Sequence, residues 1–457
     1  MKKYMLFFAL AVPFCSLLAQ NFQGTWTGDL QVPGTTLPIV FHLKQDADKW
    51  LGTMDSPNQN AFGIPIQSVS VKGDSLFIEE KKMLMQYKGV LKNNQITGKF
   101  IQSNFSFDLV LQKSEQTVNA PLRPQTPQPP FAYQVQELQI TNPDEDVVLS
   151  GTLTVPFNKK YPSLVILISG SGPQDRDETI FNHKPFAVIA DYLTKQGYAV
   201  FRYDDRGTAA STGNFTAATS FNFASDANAV VNALYKRKDI NAKKIGLLGH
   251  SEGGLIAGIV AAENPKVKFI ISMAGPGVSG QEILMEQTYL VGKGAGLPET
   301  TLQKNKAINA ELYKTIIAQD WTDFNTSAVV VAEQFKTINP SAASASTTEI
   351  INNIIPKNAQ WFKTFLLTDP AFYYSQLNIP VLAINGENDI QVSHAQNLPA
   401  LQATFKNKKS TVKSFPHLNH LFQTSKTQTV QEYNDLEETI SPVVLQEIAN
   451  WLKINKL

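Results

Sequence analysis

Five short runs of nearly unbroken apolar residues constrain this chain more than any other feature; they lie at 163–169, 198–203, 245–248, 269–273 and 381–384. A half-buried strand alternates apolar with polar residues, whereas a continuous apolar run is buried on both faces, as in a covered parallel sheet. Helix-like segments stand between the runs at 185–196, 224–236 and 255–263. Strand and helix in alternation require crossover connections, hence a mostly parallel sheet with helices on both faces. Two further strands, 133–141 and 147–155, flank the turn Asn142-Pro143-Asp144 and precede the first run. From about 280 to 370 the alternation stops, and Ile308, Leu312 and Ile316 repeat at four-residue spacing. That stretch predicts a helical insertion over the top of the sheet, without a readable chemical motif.

The first third obeys a different grammar. Leu37, Ile39, Phe41 and Leu43 alternate with other residues, and Phe105, Phe107, Leu109 and Leu111 do the same. Turn signals separate such strands at Pro33-Gly34, Lys72-Gly73-Asp74 and Asn93-Asn94. Gly89 and Gly98 interrupt strand-like runs, which suits bends or bulges in a curved sheet. The expectation is a small antiparallel, all-β, barrel-like domain over 20–115. Pro121, Pro124, Pro127, Pro129 and Pro130 follow within ten residues. Their density predicts an extended spacer over 116–132 and places the α/β domain at 133–457, with its helical cap at about 280–370.

The N-terminus begins Met1-Lys2-Lys3, runs apolar from Met5 to Leu18, and reaches Ala19 before a polar stretch. Basic start, apolar run and small residue predict a signal peptide over 1–19, and export to the periplasm or the extracellular space. A spanning helix needs roughly 20 apolar residues, and this run is shorter. Cleavage after Ala19 removes Cys15, the one cysteine of the chain. One cysteine excludes an intramolecular disulfide framework and a cysteine-rich metal site, and no cofactor is expected. Forty basic residues against 39 acidic ones give a net charge of +1. That balance argues against a nucleic-acid partner and against polybasic attachment to a membrane surface, and no other stretch is apolar enough to span a bilayer.

The chemistry concentrates in Gly249-His250-Ser251-Glu252-Gly253, a Gly-x-Ser-x-Gly directly after a buried strand and before a helix. A sharp strand-to-helix turn there projects the Ser251 hydroxyl from the sheet. The unpaired N–H groups of the helix start place that of Glu252 where an oxyanion can form. A serine hydroxyl needs a base. Among six histidines, His42 lies in the β region, His250 adjoins Ser251 at an unsuitable angle, and His183 and His394 border helices as surface or capping residues. His417 and His420 follow the last strand, where the order serine, acid, histidine requires the base; His420 is preferred, with His417 in reserve. The acid should follow the penultimate strand, in Gly386-Glu387-Asn388-Asp389. Asp389 lies past the turn and is preferred over Glu387. Gly170-Ser-Gly-Pro-Gln-Asp-Arg-Asp177 ends the first buried strand, and its Ser171 is the choice for a second oxyanion donor. Asp204-Asp205-Arg206-Gly207 reads as a buried ion network bracing that loop.

These residues carry a resemblance. The chain from about Tyr133 onward resembles the α/β-hydrolase superfamily, and more closely its bacterial esterases grouped with serine aminopeptidases, the prolyl-aminopeptidase-like branch. The matching pieces are the 170–177 loop, Tyr203-Asp-Asp-Arg-Gly207 with Ser211-Thr-Gly213, Gly249-His-Ser-Glu-Gly253, Asp369-Pro370, Gly386-Glu-Asn-Asp389 with Val392, and Asn419-His-Leu-Phe422. The resemblance implies an α/β-hydrolase fold with a helical cap insertion, with Ser251 as nucleophile, Asp389 as acid and His420 as base. Ala209 departs from the pattern, since relatives usually carry glycine there. The β domain is similar to small barrel-like modules fused to secreted hydrolases. Three functions follow as expectations. The first is a secreted serine carboxylesterase acting on a small-molecule ester through an acyl-enzyme. The second is an aminopeptidase or oligopeptidase with the same triad, acting on short peptides. The third is a ligand-binding protein with a vestigial triad. The ligand of the β domain is not encoded in any readable motif.

Overall fold

The computed structural model describes residues 22–114, apart from 33–34, 48, 58–60, 82 and 103–104, and residues 122–457. The signal-peptide reading with Cys15, the Pro33-Gly34 turn and segment 116–121 lie outside the described residues. The chain divides into two compact units, Met1–Ala120 and Pro121–Leu457.

The first unit is a closed antiparallel barrel. Its strands are β1 (Gly24–Val32), β2 (Thr35–Asp46), β3 (Lys49–Ser56), β4 (Ala61–Pro65), β5 (Ser68–Lys72), β6 (Ser75–Glu80), β7 (Met85–Lys92), β8 (Gln95–Gln102) and β9 (Phe105–Ser114). Strands pair mostly in chain order, β9 returns to β1, and a β2–β3 pairing closes the ring, with β4 attached beside β3. Closure removes most of the free edge that invites association with other strands, leaving that of the five-residue β4. Trp26, Phe41 and Tyr87 are fully buried and fill the interior. The Trp26 indole donates to the carbonyl of Phe22 (2.8 Å). Asn93 and Asn94 both take positive φ and turn β7 into β8. Gly89 and Gly98 sit opposite each other in unbroken register. They mark close strand approach rather than a bulge: a Cβ on Gly98 would lie 2.3 Å from the carbonyl oxygen of Lys88.

The second unit holds an eight-stranded sheet in the order β10-β11-β13-β12-β14-β15-β16-β17. The strands are β10 (Tyr133–Asn142), β11 (Val147–Pro156), β12 (Leu164–Ile168), β13 (Ala199–Tyr203), β14 (Ile245–His250), β15 (Val267–Met273), β16 (Val381–Gly386) and β17 (Thr411–Phe415). The hairpin β10–β11 is antiparallel, β11 runs antiparallel to β13, and the remaining pairings are parallel. Every residue of β12, β14 and β16 is buried, as their uninterrupted apolar runs require. Separate apolar clusters cover the two faces of this sheet, one including α2 and α3 residues and the other including α1 and α11 residues. These helices are α1 (Pro185–Lys195), α2 (Ser220–Leu234), α3 (Glu252–Glu263) and α11 (Pro442–Ile454). The fold class expected from the sequence is therefore observed in both units.

Helix α2 starts four residues before the segment read from the sequence. The Asn222 side chain accepts from the N–H and the hydroxyl of Thr219, a start signal that the apolar pattern does not contain. Between β15 and β16 lie α4 (Gly280–Gly294), α5 (Glu299–Ala318), α6 (Phe324–Ile338), α7 (Thr347–Ile354), α8 (Ala359–Leu367) and α9 (Pro370–Tyr374). Most of this insertion has its own apolar cluster, which includes Leu312, Ile316, Trp321 and Phe335. The last described helix before β17 is α10 (His394–Thr404). The proline-rich stretch is not free from Arg123 onward. The Arg123 guanidinium donates to the carbonyls of Phe181, Asn434 and Leu436. Gln125 donates to the carbonyl of Ile440 (2.7 Å).

Candidate active site

Ser251 sits between β14 and α3 with φ 52° and ψ −123°. A left-handed φ is costly for a residue with a Cβ and persists only where the surroundings enforce it. Two glycines enforce it here. A Cβ on Gly249 would lie 2.0 Å from the Gly253 carbonyl oxygen, and one on Gly253 would lie 2.2 Å from that of Ile168. The turn is pinned on its sheet side, where the Ser251 N–H donates to the carbonyl of Met273 (2.9 Å). The strained serine thus rises from the sheet at the carboxyl ends of β12 and β14, with the N-terminus of α3 behind it.

Asp389 and His420 meet. The Nδ1 atom of His420 lies 2.8 Å from Oδ2 of Asp389. The other carboxylate oxygen of Asp389 accepts the N–H groups of Gln391 (2.8 Å) and Val392 (2.9 Å). Both residues are buried. With Nδ1–H given to the carboxylate, Nε2 keeps its lone pair and can receive a proton. Ser251 and His420 line one cavity of about 280 Å³. The rival residues lie elsewhere: Glu387 is exposed and accepts from the Ser414 hydroxyl, and His417 is exposed.

The loop after β12 brings Ser171 to the same cavity. Its hydroxyl donates to Oε2 of Glu252 (2.7 Å), the residue that opens α3. The other oxygen of Glu252 accepts from the Ser220 hydroxyl and from the Trp361 indole N–H of α8 (2.9 Å). One buried carboxylate therefore ties together the two residues read as oxyanion donors and a helix of the insertion. Burial raises the Glu252 pKa, and the hydrogen bonds from Ser171, Ser220 and Trp361 hold part of that rise back. The 204–207 network braces this loop as expected. Arg176 pairs with Asp204 (2.8 Å), and Asp205 accepts from the Ser169 hydroxyl (2.7 Å) and the Gln174 N–H (3.0 Å). Arg206 pairs with Asp226 (2.7 Å).

His250 has a role that its sequence position does not reveal. Its Nδ1 lies 2.9 Å from Oε1 of Glu178 and its Nε2 lies 3.0 Å from the backbone carbonyl of His420. The same Glu178 oxygen accepts the Gly170 N–H (2.8 Å). Carbonyl and carboxylate oxygens accept, so this pair of contacts favours a proton on each ring nitrogen. Burial alone would lower its pKa; the Glu178 charge and hydrogen bond, the His420 carbonyl and the Asp389 charge overcome burial and raise it. Its ring centroid is 4.8 Å from that of His420.

The segment carrying His420, residues 416–441, has little regular structure beyond the short 3-10 helix Val430–Asn434. Long-range bonds hold it. Arg123 and Gln125 bind its carbonyls, and His183 reaches Thr439 (2.8 Å) and the Tyr433 carbonyl (2.9 Å). His183 was expected at the surface or at a helix cap, and it is fully buried. Burial, then the charge of Arg123, lowers its pKa to about 4.

The remaining cavity wall comes from the insertion and nearby loops. Ile283, Leu284 and Gln287 come from α4, and Trp361 and Phe365 come from α8 with their rings stacked at 5.4 Å. No sequence motif announced these residues. Among the described residues no group of three or more metal-ligating side chains is assembled, and no helix is long and apolar enough to cross a membrane.

Comparison with known proteins places this site in a family context. The profile described as alpha/beta hydrolase fold matches residues 163–427. Esterase EstD of Thermotoga maritima is 26% identical over 305 residues, which cover 66% of this chain and 65% of the relative. The chain thus matches slightly less than two thirds of that protein. Among solved structures, the Pyrococcus furiosus esterase Pf2001 aligns with a TM-score of 0.44 and 16% identity, over 75% of this chain and 99% of the other. Est1E from Butyrivibrio proteoclasticus, solved with bound ferulic acid, aligns with a TM-score of 0.41 and 17% identity, over 68% and 99%.

Proposed function

Because the chain belongs to the alpha/beta hydrolase fold family, we propose that it is a serine hydrolase that cleaves carboxylic esters through an acyl-enzyme on Ser251. The Asp389–His420 hydrogen bond, opening on the cavity that Ser251 also lines, is the observation that carries this reading. In the first half-reaction His420 Nε2 takes the hydroxyl proton as Ser251 Oγ attacks the ester carbonyl. The N–H groups of Glu252 and Ser171 hold the oxyanion, with the α3 dipole behind them. Asp389 stabilises the imidazolium that forms, without taking its proton. The tetrahedral intermediate collapses, the alkoxide leaves with the proton from His420, and the acyl group stays on Ser251. Water then gives its proton to His420, attacks the acyl carbon and releases the acid.

Ester rather than peptide cleavage is supported by charge. A peptidase selecting a free amine needs a carboxylate aimed at the ammonium. Glu282, Glu286, Glu299 and Glu311 of the insertion are absent from the residues lining the cavity. Glu282 instead accepts from Ser279 in a helix-start box, Glu299 accepts from Tyr289, and Glu311 lies beside Lys314. Ser251→Ala should abolish release from 4-nitrophenyl butyrate and labelling by a fluorophosphonate. Full turnover by that variant, or faster cleavage of amino-acyl anilides than of esters, would defeat the reading. Export rests on the N-terminal pattern alone; N-terminal sequencing of protein recovered outside the cytoplasm should begin at Gln20.

A further inference from the structure

We propose that the site accepts esters uncharged in both halves, and that the side-chain amides of Gln174 and Gln287 bind hydroxyl groups carried by the substrate. The inference rests on Ser251 acting as the nucleophile and adds the chemical class of what reaches it. The cavity wall contains one carboxylate, Glu178, and no lysine or arginine. Glu178 is already matched, by the His250 ring and by the Gly170 N–H. A substrate ammonium would therefore meet no free anion, and a substrate carboxylate would meet no free cation. Bringing an unmatched charge into a small, partly enclosed site costs far more than bringing in a neutral group.

The wall is not uniformly apolar. Ile283, Leu284, Trp361, Phe365, Val392 and Leu421 supply the hydrocarbon surface, which suits an aliphatic or aryl acyl group. Three glutamines interrupt it: Gln174, Gln287 and Gln391. Gln391 donates to the Tyr433 hydroxyl (3.0 Å). The amides of Gln174 and Gln287 make no hydrogen bond among the described residues, although both residues are half-buried. An amide offers a donor and an acceptor together, and a hydroxyl is the neutral group that answers both. Gln174 shares its loop with Ser171, and Gln287 stands one helical turn beyond Ile283 on the insertion. Both amides therefore border the space where the ester must lie. Acylated polyols and sugars fit this pattern; simple alkyl esters leave the amides unanswered.

The test uses the full chain and measures kcat/KM. Matched 4-nitrophenyl esters carrying a neutral butyryl, an anionic hemisuccinyl or a cationic trimethylammonio-butyryl group probe the charge rule. The neutral ester should exceed each charged one by about 100-fold. Glycerol monobutyrate should exceed propyl butyrate by roughly tenfold, and Gln174→Leu with Gln287→Leu should bring that ratio close to one. Charged and neutral esters cleaved within about threefold of each other, or glycerol and propyl butyrates cleaved alike by the unaltered chain, would overturn the proposal while Ser251-dependent turnover kept the nucleophile in place. Failure on every ester, with Ser251 unlabelled by a fluorophosphonate, would overturn the assignment of the site and this proposal with it.

Discussion

The two ends of the proposed proton relay are built in opposite ways. Ser251 is shaped mainly by its immediate neighbours, a buried strand, two glycines and a helix, with the adjacent strands adding the Met273 carbonyl and the close approach of Ile168. His420 lies in an irregular segment held by partners that are remote in sequence, Arg123, Gln125, His183 and His250. A nucleophile fixed by local sterics tolerates change at a distance. A base fixed by long-range hydrogen bonds inherits the fate of every anchor.

The contrast can be broken most directly at Ser251. Ser251→Ala should leave the fold and the Asp389–His420 bond intact and reduce kcat by about ten-thousandfold, measured as steady-state ester hydrolysis with loss of any acyl-enzyme burst. The next effect belongs to His183. Its ring is neutral when buried, with a pKa of about 4 against an ordinary 6.5. The unfolded chain binds this proton first as pH falls, so stability present above pH 6.5 is lost progressively down to about pH 4. The loss approaches about 3 kcal/mol. Urea unfolding of the parent and of His183→Gln across that range checks it: the variant should start less stable and show a flatter acid limb.

Glu178→Gln should cost about 10- to 100-fold in kcat, because a neutral amide withdraws the charge that favours a proton on His250 and the carbonyl of His420 loses its fixed donor. The His250 pKa is raised in the folded state, so its contribution to stability is complete below the ordinary histidine range and fades as pH climbs through the raised value. The parent should therefore lose activity and stability on the alkaline side earlier than a variant in which His250 is replaced by glutamine. Arg123→Ala should lower kcat by roughly tenfold, and lysine should not restore it, since one ammonium cannot reproduce the fork that meets carbonyls from two loops. The smallest effect is expected at Ala209, which holds φ at 46°. Ala209→Gly should stabilise by about 0.5 kcal/mol, the relief of left-handed strain less the entropy gained by the unfolded chain, read as a small rise in Tm.

The same contrast explains what could be read from the chain beforehand. Buried strands, the alternating barrel strands and the elbow leave local signatures, and so does the Asp369-Pro370 start of α9, where Asp369 accepts from the Ala371 N–H. Asp389 and His420 were found by their order after successive strands, and the geometry brings them together. Trp361 meets Glu252 from 109 residues away, and Arg123 reaches Asn434 across 311. No periodicity records such pairings. His183 was misread for this reason, since the groups that bury it come from the far end of the chain. The cap residues of the cavity escaped because Ile283, Trp361 and Phe365 belong to no local chemical motif.

A practical corollary concerns where a gene could be cut. Secondary structure suggests starting an isolated catalytic fragment at β10, the first strand of the second sheet. Such a fragment would keep every strand and helix described for that sheet, and it would discard Arg123 and Gln125. The resulting protein should unfold cooperatively and still hydrolyse poorly. Adding back only a dozen residues ahead of β10 should recover the lost rate without adding a single element of regular structure.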